Sequence, residues 1–69
     1  MNLLEAAIAA LTAGRGFRSA SEPDFVLGFA DLGESSPTLV EHWTLESDGG
    51  ARPAHLTARD FLATDYELF

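Results

Sequence analysis

Four arginines, one tryptophan and eleven acids carry most of the chemistry this chain can offer. The arginines fall in two pairs, Arg15/Arg18 and Arg52/Arg59, and there is no lysine. A guanidinium grips phosphate through a planar, two-pronged set of donors. Trp43 adds a stacking surface for a base. Brought together, the two pairs and Trp43 would hold a small, doubly charged nucleotide. The plainer reading of each arginine is a partner for a nearby carboxylate, and the plainer reading of Trp43 is a place in the core.

The acids suggest a second kind of chemistry. Between Arg18 and Arg52 neither arginine nor lysine occurs, while Glu22, Asp24, Asp31, Glu34, Glu41, Glu46 and Asp48 do. Such a run keeps a small protein soluble. If the acids share one face, it also competes for a basic protein groove, as nucleic-acid mimics do. Association would then be driven by electrostatic complementarity and would be salt-sensitive.

Enzymatic chemistry finds little support. His42 and His55 stand thirteen residues apart, which is no helical ligand spacing, so no metal site is expected. No serine lies in a Gly-x-Ser-x-Gly turn. Gly14-Arg15-Gly16 lacks the Lys-Ser/Thr and the preceding strand of a phosphate loop. The chain is expected to have no catalytic residue and no cofactor.

Alternating and helical patterns place these residues. Asn2 and Glu5 have capping-box spacing at the head of a helix over the first fourteen residues, and Gly14 is its natural stop. Leu4, Ala7, Ile8 and Leu11 recur at helical intervals and predict the buried stripe, with Leu3 off it. Residues 15–18 alternate as an edge strand does. A strand is expected over 24–31, with Phe25, Leu27 and Phe29 on one face and Val26, Gly28 and Ala30 on the other. A second runs over 38–46, with Leu39, Glu41, Trp43 and Leu45 on one face and Val40, His42, Thr44 and Glu46 on the other, the Leu39, Trp43 and Leu45 side toward the core. Asp48-Gly49 is a hairpin-turn signal, and Pro53 confines the returning strand to an edge. Thr57 and Asp60 predict a short helix anchored by Phe61 and Leu62, and Tyr66 and Leu68 a last strand. The fold expected is a single α+β domain over 1–69: an N-terminal helix on a small, mostly antiparallel sheet of about four strands.

Size and charge bound the function. The 69 residues weigh 7.4 kDa and carry a net charge of −7. That charge argues against duplex nucleic acid and against an anionic membrane surface as partners. No apolar run approaches the roughly 20 residues of a membrane span, and the opening residues lack a basic n-region, so a cytoplasmic protein is expected. There is no cysteine to supply a disulfide. A core this small then leaves self-association as the source of added stability. The expectation is at least a dimer, formed on the sheet face opposite the helix with Val26 and Val40 near its centre.

Two blocks of sequence resemble a known family. The opening MNLLEAAIAALTAGR is similar to the start of the second Thoeris anti-defence family of small phage proteins. Near the end, Asp48-Gly49, Pro53, Thr57, Asp60, Leu62, Ala63, Asp65 and Tyr66 sit where that family has an Asp-Gly turn, a proline and a Ser-Gln-Thr-Asp-Leu-Leu-Ala-x-Asp-Trp segment. The family's Arg-x-Gly-Trp-Asn-Gly segment is replaced here by residues around Arg18-Ser19-Ala20-Ser21, and its tryptophan after the proline by Ala54. The resemblance implies a non-catalytic homo-oligomer that evades host immunity by sequestering a cyclic nucleotide signal. Arg15, Arg18, Arg52 and Arg59 would meet the phosphates and Trp43 the base. Anti-CRISPR relatives of that family imply the alternative, in which the acidic stretch binds a basic immune effector protein.

Overall fold

The computed structural model describes residues 1–31, 36–44 and 51–69. Its first element, α1 (Leu3–Ala13), starts where the capping pair dictates. The Glu5 backbone N–H donates to Asn2 Oδ1 at 2.8 Å, and the Asn2 N–H donates to Glu5 Oε1 at 3.0 Å. Two of the helix's orphan donors are thereby satisfied. Gly14 ends it in the left-handed region, with φ at 66°.

Five strands follow, interrupted by one short helix: β1 (Phe17–Ser19), β2 (Phe25–Ala30), β3 (Thr38–Trp43), β4 (Arg52–Pro53), α2 (Ala58–Leu62) and β5 (Tyr66–Leu68). They form one antiparallel sheet in the order β4-β3-β2-β1-β5. The segment expected at an edge, β1, is interior, held between β2 and β5. Pro53, which has no N–H to give to a ladder, lies on edge strand β4 as its chemistry requires. The register pairs Phe17 with Leu27, Leu27 with Glu41, and Glu41 with Arg52, so these four share one face. Arg18, Val26 and His42 share the other.

The α+β architecture is therefore the expected one, with five strands, but the helix meets the sheet by a different stripe. Leu3, Ala6 and Ala10 are buried with Phe17, Phe25, Leu27 and Tyr66. Leu4, Ile8 and Leu11 point away and are 69, 58 and 52% exposed. Alanine explains the rotation. Methyl side chains let the helix axis approach the sheet closely, and the aromatic rings below fill the space that leucines would have taken. Phe17 and Tyr66 meet edge to face at 5.7 Å between centroids. Phe61 and Leu62, expected as anchors of α2, are exposed as well. Leu45 and the Asp48-Gly49 turn lie outside the described residues.

The sheet face opposite α1 is less open than its sequence implies. Val40 is only 7% exposed and Val26 is half-buried within the single chain. Val40 is thus unavailable as the centre of a self-association surface there.

Candidate functional site

The two arginine pairs occupy different parts of the molecule. Arg18 on β1 and Arg52 on β4 are three strands apart, and the register puts them on opposite faces. At about 4.8 Å per strand step, some 14 Å of sheet separates them. Each arginine is also engaged. Arg15 Nε donates to the Phe69 carbonyl at 3.2 Å. Arg18 Nε donates to Glu67 Oε1 at 3.4 Å, and its guanidinium lies 4.9 Å above the Phe69 ring. Arg52 Nε pairs with Glu41 Oε2 at 3.3 Å, and Arg59 pairs with Glu22. The structure thus brings Arg15 and Arg18 together at Phe69 but does not bring them to Arg52, Arg59 or Trp43.

Trp43 and Arg59 do meet. Together with Glu22, Phe25, Glu41, His55, Thr57 and Asp60 they line a cleft of about 310 Å³ between β3 and the start of α2. Trp43 is 37% exposed at its wall and is backed by Phe25, whose ring centroid lies 4.7 Å away. Glu41 forms the floor. It is 7% exposed, and besides the Arg52 pair it accepts the His55 N–H at 2.7 Å. Asp60 is fixed by α2's own start, accepting the Thr57 N–H at 2.7 Å and the Thr57 hydroxyl at 3.1 Å. Its backbone carbonyl accepts the Tyr66 hydroxyl at 2.9 Å. Burial, followed by the charges of Asp60, Asp65 and Glu22, raises that phenol above its ordinary pKa. Three carboxylates thus line the cleft, with Glu22 paired to Arg59 and Glu41 to Arg52, so negative charge is in excess. Such a cleft repels phosphate and offers acceptors to a cation beside an aromatic face.

The acidic stretch does not collect into one face among the described residues. Asp24 and Asp31 flank the two ends of β2, roughly 20 Å apart for a six-residue strand at ~3.3 Å per residue. Asp24 accepts the Thr44 hydroxyl at 3.0 Å. Glu41 is turned inward, which corrects its place on an outer binding face. Glu22 joins the Trp43 cleft instead. Glu34, Glu46 and Asp48 lie outside the described residues.

His42 and His55 belong to different settings, one on the sheet face away from α1 and one at the cleft. Among the described residues no cluster of His, Asp and Glu has the makings of a metal site. No helix there is long and apolar enough to cross a membrane. The sequence reading missed Asp60 and Thr57 as cleft residues. Their capping-box spacing marked the start of α2, but nothing local said that this start would face β3. Phe69 was missed for the same reason.

Compared with family models, curated proteins and solved structures, the chain matches none.

Proposed function

We propose that the protein is a non-catalytic binding module that engages a protein partner through the Trp43 cleft, taking an arginine or lysine side chain of that partner. The context is immune evasion, as the family resemblance implies, and the target is a basic effector protein. One observation carries this reading: Glu22, Glu41 and Asp60 line the cleft, and of the three only Glu22 and Glu41 have an arginine partner, Arg59 and Arg52 respectively, so carboxylates outnumber cations there. A cationic head would gain hydrogen bonds to carboxylates while its stem lies along Trp43. The net charge of −7 adds steering toward a basic surface. Affinity capture from a lysate of the host tests it. Retention of a basic protein that is lost at high salt and lost on Trp43→Ala is the expected outcome. Capture unaffected by Trp43→Ala would reject the cleft.

Sequestration of a cyclic nucleotide is the second reading, and it rests on the corner where Arg15 and Arg18 meet Phe69. One guanidinium over a half-exposed ring and a second at the same residue's carbonyl are the elements of a phosphate-and-base site. On this reading a second protomer supplies the remaining walls. Calorimetry with a panel of cyclic mono- and dinucleotides checks it. Heat that disappears on Arg18→Ala would favour it, and silence across the panel would remove it.

A further inference from the structure

We propose that a second copy of this chain covers the outer face of α1. The helix is apolar on two sides. Leu3, Ala6 and Ala10 are spent on the sheet, yet Leu4, Ile8 and Leu11 form a second, exposed stripe. A helix that is apolar all round is a buried helix, so one of its faces awaits a cover.

Three observations identify the cover as the same chain. First, Leu4, Ile8 and Leu11 have the spacing of a heptad seam, with a β-branched residue at the a position between leucines at d. Three residues at that spacing make a short seam that can pack against its own copy. Second, α1 brings little charge to this face of a strongly acidic molecule. The only ionisable side chain in α1 is Glu5, and it is held in the capping box. Two copies, each with a net charge of −7, can meet here without placing carboxylates against one another. Third, the area suits a small homodimer. The stripe continues past Ala7 into a groove of about 400 Å³ walled by Leu4, Leu39 and Phe61. Leu4, Ile8, Leu11 and Phe61 together expose on the order of 450 Å², over half of the ~800 Å² each partner gives to a standard interface. A two-fold axis near Ile8 makes the contact self-complementary. The inference stands apart from the Trp43 cleft and does not rest on it.

Light scattering on the intact chain at micromolar concentration should give twice the 7.4 kDa chain mass, and Ile8→Glu should return it to one. Val26→Glu, on the opposite sheet face, should leave the dimer in place. The chain has no cysteine, so Ile8→Cys supplies a second readout that survives even if Ile8→Glu unfolds. Under mild oxidation Ile8→Cys should form a covalent dimer and Val26→Cys should not. A monomeric wild-type chain overturns the proposal, whatever else is found bound to α1. So does a dimer that Val26→Glu breaks and Ile8→Glu does not, or one in which Ile8→Cys fails to cross-link.

Discussion

The buried carboxylate of Glu41 accepts the backbone N–H of His55 at 2.7 Å, across fourteen residues of sequence. Its second oxygen pairs with Arg52, so one side chain fastens the whole returning segment to the sheet. By backbone pairing that segment is held through the two-residue β4 and a bond from the Ala54 N–H to the Leu39 carbonyl at 3.0 Å. Glu41→Ala leaves a part-buried N–H without its acceptor and Arg52 without its partner, and should cost about 1.5–3 kcal/mol. Glu41→Gln keeps an acceptor and should cost about 1 kcal/mol or less. Urea unfolding of both variants checks the order. Equal losses would mean that the charge, rather than the acceptor, holds the segment.

Asp65 reports on a polar knot at the β1–β5 end of the sheet. It accepts the Ser19 hydroxyl at 2.7 Å and the Ser21 N–H at 3.1 Å, and the Ser19 bond first of all lowers its pKa below the ordinary carboxylate value. A depressed folded-state pKa contributes stability that is complete above the unfolded carboxylate's titration, near pH 4, and fades as pH falls through the folded value. Ser19→Ala should therefore move the Asp65 titration upward and flatten the acid limb of the stability curve. Carboxyl NMR across pH 2 to 6 follows the first effect and thermal melts the second (a range set about the carboxylate value). An Asp65 titration unmoved by Ser19→Ala would contradict this.

The alanine face of α1 predicts an inverted pattern of tolerance. Ala6 and Ala10 are 0 and 1% exposed against the sheet. Ala6→Leu must push the helix off the aromatic layer and should cost about 1–3 kcal/mol. Leu4→Ala removes no intrachain core contact and should leave the unfolding of an isolated protomer within about 0.5 kcal/mol. Denaturation at low protein concentration makes the comparison.

The two glycines that bound the turn after α1 differ in what forbids a side chain. At Gly14 the space is open, but φ is positive, so Gly14→Ala should cost about 1–2 kcal/mol in backbone strain alone. At Gly16 an added Cβ would meet the Leu27 carbonyl at 3.0 Å and Val26 Cγ1 at 3.2 Å. Gly16→Ala must therefore shift β1 against β2. Gly14→Asn, which tolerates the left-handed region, should recover part of the first loss. No conservative replacement should recover the second. Melting temperatures of the three variants decide it.

What the sequence disclosed and what it withheld follow from the range of each signal. Capping by Asn2 and Glu5, the stop at Gly14, the edge position of Pro53 and the alternation in β2 depend on neighbours within a few residues, and all are present in the structure. The buried stripe of α1 was misread because hydrophobicity ranks leucine above alanine, while close packing on an aromatic layer ranks them the other way. Alternation sets Glu41 on the Leu39 and Trp43 face, but what holds a carboxylate there was hidden because its partners, Arg52 and His55, arrive only when β4 pairs with β3. The Trp43 cleft is of the same kind. Trp43 stood out as a single residue, but the carboxylates that give it chemistry come from three separate segments.

Fluorescence of Trp43, the only tryptophan, gives the most direct test of the central claim. The intact protein is titrated in parallel with an oligo-arginine peptide and with cyclic mono- and dinucleotides, each at low and high salt. The account predicts an emission change with the peptide that weakens as salt rises and is lost in Asp60→Asn, and no change with any nucleotide. A saturable change with a nucleotide, persisting in Asp60→Asn while the peptide leaves Trp43 unaltered, would contradict it.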